Sequence, residues 1–137
     1  SGPSYAKLRR LAGPNVTFLG WQQDEILRRY YAEARLLVFP GVEDFGIVPV
    51  EAQACGRPVV AFGRGGALDT VIDGDTGVLF GEATVDSLAT ALTQAAATTW
   101  HPSRIRAHAE TFSRRRFVKE VEEVVADTMR APAGTRW

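Results

Sequence analysis

Two acidic residues, Glu43 and Glu51, stand with seven residues between them, and Gly46 lies in the interval. The stretch Gly41-Val42-Glu43-Asp44-Phe45-Gly46-Ile47-Val48-Pro49-Val50-Glu51 passes from a loop into a helix, with Pro49 in the first turn, where proline is tolerated. The first N–H groups of a helix have no carbonyl partner and the macrodipole is positive there, so that end can receive an anion. Gly46 lets the backbone come close to a ligand. A carboxylate offers about four lone-pair sites and can accept two hydroxyl groups at once. One carboxylate before the helix and one within it, around an anion-receiving end, suit a sugar joined to a phosphate. A second glycine-rich turn into a helix, Gly63-Arg64-Gly65-Gly66, has the form for the same task. Each feature alone has an ordinary explanation: a Glu ahead of a helix favours the macrodipole, a Glu inside one is solvated, and a glycine pair marks a turn. The joint spacing is what points to a ligand.

The elements that must position these residues follow from hydrophobic periodicity. Helices are expected from Ser4 to Ala12, from Asp24 to about Ala34, from about Val48 to Cys55, and over Leu68 to Ile72. Strands are expected at Val16–Leu19, Leu36–Phe39, Pro58–Phe62 and Gly77–Phe80. From residue 84 to 130 the chain reads as helical: Asp86 to Ala97, Ser103 to Glu110, and a last helix from about Ser113 with Phe117, Val121, Val124, Val125 and Thr128 at helical spacing. The tail after Met129 has no pattern and is expected to fray. Strands separated by helices imply right-handed crossovers and a parallel sheet. The runs Leu36–Phe39 and Val59–Phe62 do not alternate, so both are expected to be buried on both faces. The fold class is therefore α/β: a Rossmann-like, doubly wound parallel sheet of about four strands in one domain over residues 1–137, with 84–130 its helical C-terminal part. Such sheets bind ligands outside the carboxyl ends of their strands, which is where the carboxylates and glycine turns lie.

Composition narrows the classes. A chain of 137 residues is one ordinary domain or a piece of a larger one. Compact folding at this size leaves an accessible surface of roughly 7,000 Å². Sixteen Lys+Arg balance sixteen Asp+Glu, which gives no electrostatic case for nucleic acid or an acidic membrane surface. A single cysteine, Cys55, excludes an internal disulfide and a cysteine-cluster metal site, and is expected in the core. His101 and His108 have no cysteine or carboxylate partners at metal-ligand spacing. No serine stands in a nucleophile elbow. Tyr30 and Tyr31 read as packing residues, Arg114-Arg115-Arg116 as a solvated face or a contact to a further domain rather than a nucleic-acid patch, and Trp100 and Trp137 carry no readable function. No apolar run approaches the ~18 residues that span a bilayer, and there is no signal-peptide pattern.

From Glu43 to Glu51 the chain reads Glu-x7-Glu with Phe-Gly-Ile-Val inside. With Ala52-Gln53-Ala54-Cys55-Gly56-Arg57-Pro58-Val59-Val60, then Gly65-Gly66 and Asp73-Gly74-Asp75-Thr76-Gly77, it resembles the retaining glycosyltransferases of family 4, which have the GT-B fold. Gly2-Pro3 resembles the end of that family's Gly-x-Gly-Pro turn, and Phe112-Ser113 with Phe117 the start of its terminal helix. The resemblance implies the donor-binding, C-terminal part of an enzyme that moves a hexose from a nucleotide diphosphate sugar to a glycan or lipid acceptor. It implies that Glu43 contacts hydroxyls of the donor sugar as the catalytic residue. Phe45, Gly46 and Ile47 offer amides to the sugar and distal phosphate, Val48 lies near the proximal phosphate, and Glu51 accepts the ribose hydroxyls. Trp21 and Gln22 lie near the nucleobase.

No cofactor and no metal are implied. The expected partners are a nucleotide sugar and an acceptor held by an N-terminal domain, with self-association of this part and no nucleic acid. The expected location is the cytoplasm, peripheral at the inner membrane face. The wording from Phe39 to Glu51 leans to GDP-mannose. Two departures stand out: Asp69 occupies the place of a Glu three residues after Gly66, and the family's Arg and Lys for the diphosphate precede this chain's first residue. Arg64 is expected to be solvated rather than to replace them. The alternative is a non-catalytic nucleotide-sugar-binding module. A phosphoacceptor signalling domain of similar topology needs an acidic pair after its first strand, an Asp at a strand end and a Lys at a later one; Gly20, Pro40 and Gly63 at the strand ends speak against it.

Overall fold

The computed structural model describes residues 2–132. Residues 133–137, with Trp137 and most of the tail, lie outside the described residues. The order is α1 (Tyr5–Leu11), α2 (Asp24–Glu33), β1 (Leu37–Phe39), α3 (Ile47–Ala54), β2 (Val59–Phe62), α4 (Ala67–Thr70), β3 (Gly77–Phe80), α5 (Val85–Ala97), α6 (Pro102–Ala109), a 3-10 turn at Glu110–Phe112, and α7 (Arg114–Arg130). The sheet is three parallel strands in the order β1-β2-β3. Leu37 pairs with Val59 and Val59 with Gly77. The α/β parallel class is thus as expected, and so are seven helices within two residues of their expected ends.

β2 is the centre of the molecule. Val59, Val60 and Ala61 are wholly buried and Phe62 nearly so, because helices cover both faces. Alternate residues of a strand point to opposite faces. Val59 and Ala61 join Phe39, Ala52, Ala67 and Val71 on one side. Val60 and Phe62 join Val78, Phe80, Ala91 and Ala95 on the other. The first side is closed by α3 and α4, the second by α5. α6 seals the far side of α3 with Ile105, which is fully buried. α3 closes at Gly56, whose amide bonds to the Gln53 carbonyl at 2.7 Å while Arg57 bonds back to Ala52 at 3.0 Å. That pair of bonds is a Schellman motif.

Two sequence expectations fail. Val16–Leu19 is not a strand. A strand state exists only where a neighbouring edge supplies ladder bonds, and this segment turns to local partners instead: the Val16 amide bonds to Gly13, and the Gln22 side chain takes the Leu19 carbonyl at 2.7 Å. Its Phe18 rests edge-on to Tyr5 of α1 at 5.5 Å. The second concerns β1, which is an edge strand rather than one buried on both faces. Val38 is 39% exposed, and β2 is its only ladder neighbour among the described residues. The accessible surface, 10159 Å², exceeds the roughly 7,000 Å² of a compact chain this size. α1, α2 and α7 have no buried residue.

Candidate functional site at the carboxyl end of the sheet

β1 ends at Phe39, and the loop from Pro40 to Phe45 carries Glu43 outward before α3 begins. Gly46 is the N-cap of α3 at φ +82°. A Cβ there meets Pro49 Cγ at 3.5 Å and Thr70 Oγ1 at 3.8 Å, ordinary contacts. The left-handed backbone, not crowding, is therefore what calls for glycine. No side chain caps α3 and its first turn holds no acidic residue. Glu43 is thus not a cap; its side chain is exposed ahead of the helix. The N–H groups of Ile47 and Val48 belong to the uncapped end, while Pro49 has none to satisfy. Val48 turns its side chain to the core, so only its backbone is free for a ligand. Phe45 and Ile47 are exposed.

The second glycine turn packs directly beneath the first loop. The Gly66 amide donates to the Glu43 carbonyl at 2.7 Å. A Cβ on Gly65 falls 2.5 Å from that same carbonyl oxygen, and one on Gly66 runs into the backbone of Phe45. Gly65-Gly66 is the seat of the first loop. Arg64 is exposed, its guanidinium 5.5 Å from the Phe62 ring centroid. Asp69 is exposed on α4.

Glu51 lies in the cleft between α2 and α3, a space of about 290 Å³ lined by Asp24, Arg28, Tyr31 and Cys55 among others. Tyr31 donates its hydroxyl to Oε2 of Glu51 at 3.2 Å. Burial, with the Glu51 carboxylate as its neighbour, pushes the Tyr31 phenol from 10.0 up to about 12. Cys55 is half-buried beside them rather than in the core, because it lies one helical turn after Glu51 and shares its face. Trp21 is 84% exposed. Gln22 is half-buried. Among the described residues, no hydrogen bond or ring contact joins either to α3.

Sequence reasoning missed a third contributor. The Phe112 ring sits edge-on to Phe45 at 5.8 Å and to His108 at 5.3 Å. His108 Nε2 lies 3.2 Å from the Thr70 carbonyl; a carbonyl only accepts, so that nitrogen carries the proton. Thr70 Oγ1 in turn donates to Gly66 at 2.9 Å. The turn after α6 thereby backs the α3 loop. The contacts of Phe112 with Phe45 and of His108 with Thr70 join residues far apart in sequence, and no local spacing signals them.

The fold and site can be set beside known proteins. The family model for glycosyl transferases group 1 matches residues 1–98. A D-inositol 3-phosphate glycosyltransferase of Gordonia bronchialis is 42% identical over 106 residues, 72% of this chain and 22% of that protein. A GDP-mannose-dependent alpha-(1-6)-phosphatidylinositol monomannoside mannosyltransferase of Mycolicibacterium smegmatis is 38% identical over 104 residues, 66% of this chain and 27% of that protein. Among solved structures, sucrose-phosphate synthase from Thermosynechococcus elongatus superposes with a TM-score of 0.73 at 30% identity, over 96% of this chain and 37% of that one. Anabaena HepE in complex with UDP-glucose does so at 0.61 and 34%, over 90% and 35%. The chain spans about a quarter of these curated relatives and about a third of these solved chains. The loop-to-helix entry at Gly46 thus sits in a fold shared with sugar-transferring enzymes, and the chain belongs to the glycosyl transferases of group 1, with the architecture of a GT-B C-terminal domain.

Proposed function

We propose that this chain is the donor-nucleotide part of a retaining transferase that moves a hexose, mannose from GDP-mannose by preference, to a glycan or lipid acceptor held by a further domain. The observation that carries the reading is the uncapped N-terminus of α3, opening at Gly46 between Glu43 and Glu51 at the carboxyl end of the sheet. Amides of Phe45, Gly46 and Ile47 receive the distal phosphate and sugar, and that of Val48 the proximal phosphate. Glu51 accepts the ribose hydroxyls, Glu43 the hydroxyls of the donor sugar, and Trp21 and Gln22 border the base. In the reaction, the bond from C1 to the distal phosphate oxygen breaks as the acceptor oxygen bonds C1 on the same face. The acceptor's proton passes to the departing phosphate. The fixed dipoles of the helix end stabilise charge developing on that phosphate, usually the largest catalytic term. No metal and no cofactor enter this reading. The mannose preference draws on the mannosyltransferase relative; the complex of HepE with UDP-glucose makes UDP-glucose the competitor.

A thermal-shift screen of GDP-mannose, UDP-glucose and UDP-N-acetylglucosamine tests the donor. Selective stabilisation by GDP-mannose is the expected result, and a response to none of them overturns the donor-site reading. Binding without sugar transfer in a longer chain that carries the acceptor domain selects the non-catalytic module instead.

A further inference from the structure

The cleft between α2 and α3 contains a contact to which the ribose reading assigns no role. Tyr31 and Glu51 lie 20 residues apart in sequence and meet through the phenol hydroxyl and Oε2 at 3.2 Å. The two ends of Tyr31 have different surroundings. Its ring packs against the buried cluster that includes Phe39, Ala52 and Val59, so the ring is fixed. Its hydroxyl emerges into the cleft. Glu51 is exposed on α3, and an exposed glutamate samples many rotamers that it must give up on binding. A fixed phenol removes that freedom beforehand.

We propose that Tyr31 is a positioning residue for ribose recognition, holding the Glu51 carboxylate in its accepting orientation through Oε2. The inference rests on the assignment of Glu51 to the ribose. The phenol has one proton, and it is given to Oε2. Oε1 keeps its full accepting capacity, and the phenol oxygen keeps lone pairs of its own. Two adjacent hydroxyls on a sugar ring donate, and this pair of side chains presents acceptors to both. Any ligand without those hydroxyls gains nothing from the arrangement, which separates positioning from mere packing. Pre-organisation of this kind raises affinity by cutting the ordering cost of binding.

The experiment is calorimetric titration of the 137-residue chain with GDP and UDP and with their 2′,3′-dideoxy counterparts, at concentrations suited to weak binding. The wild type is expected to prefer the ribose forms. Tyr31→Phe is expected to weaken the ribose forms about three- to tenfold, the equivalent of one net hydrogen bond, and to leave the dideoxy forms unchanged. Tyr30→Phe, on the same helix, serves as the control and is expected to change neither. In a Glu51→Gln background the effect of Tyr31→Phe is expected to shrink. Equal weakening of ribose and dideoxy forms by Tyr31→Phe shows a structural role only and overturns the inference, as does no weakening at all. Failure of the wild type to distinguish ribose from dideoxy forms overturns the Glu51 assignment itself, and the inference with it. Unchanged dideoxy affinity also certifies that the variant is folded.

Discussion

The amide of Gly66 donates to the carbonyl of Glu43 at 2.7 Å, and this bond makes one unit of the turns that follow β1 and β2. The loop bearing Glu43 and Phe45 has no strand or helix of its own. Its shape comes from the second turn beneath it, from the Phe112 ring beside Phe45, and from the left-handed Gly46 that leads it into α3. The position of the amides at the start of α3 therefore depends on residues outside α3 and its loop.

That dependence gives the first prediction. A Cβ at Gly66 collides with Phe45 backbone, and backbone cannot swing aside as the tip of a side chain can. Gly66→Ala is expected to destabilise the fold by about 1–3 kcal/mol, the usual range for overpacking. It is also expected to displace the Phe45 loop and weaken nucleotide-sugar binding. Urea unfolding followed by calorimetry reads both effects. Wild-type stability with wild-type binding refutes the seat.

Glu51→Gln keeps the side chain's shape and removes its charge. A hydrogen bond to a charged group contributes ~1.5–3 kcal/mol, so the affinity for a nucleoside diphosphate is expected to fall at least about tenfold. Glu51 is exposed, so thermal unfolding is expected to change little. Equal affinity in the variant and the wild type removes the ribose assignment.

How far the sequence could be read follows from which forces are local. β2 was legible because a continuous run of Val59 to Phe62 survives only between two covered faces. Glu43, Gly46 and Glu51 were legible because one helix start sets their spacing. Val16–Leu19 has strand composition, but its backbone bonds locally; a strand is a property of a pair, and the pair is not written in one segment. Val38 misled in the same way, since an apolar run does not say whether a strand lies at an edge. Cys55 was recoverable from its helical phase with Glu51. Tyr31 and Phe112 were not, because side-chain contacts across α2–α3 and from Phe112 back to Phe45 follow from tertiary packing alone.

The Tyr31 phenol supplies a pH prediction. Its pKa rises from 10.0 unfolded to about 12 in the fold, chiefly through burial and then through the Glu51 carboxylate. A group raised in this way favours the fold while it is protonated. Its contribution is complete below pH 10 and is lost as pH climbs through 12. The chain is expected to lose stability across that window, and Tyr31→Phe to lose correspondingly less. Tyrosinate absorbance near 295 nm is expected to lack its late-titrating component in that variant. A late component that persists in Tyr31→Phe contradicts the assignment.

The last prediction concerns what this chain does alone. α7 exposes Phe117 at 64%, Val124 at 63% and Val125 at 55%, with Val121 beside them. α1 exposes Leu8 and Leu11. Contiguous apolar patches on this scale mark interaction sites. The outer edge of β1 also presents backbone groups without a strand partner among the described residues, and free edges invite pairing. The surface exceeds that of a compact chain by about 3,000 Å². The chain is expected to associate with itself in a concentration-dependent way, seen by sedimentation velocity, and Phe117→Lys with Val124→Glu is expected to reduce it. Transfer is expected to be absent, because the reading places the acceptor site and the basic diphosphate clamp on other parts of a longer protein. Sugar release from GDP-mannose to an added acceptor by monomeric chain refutes both expectations together.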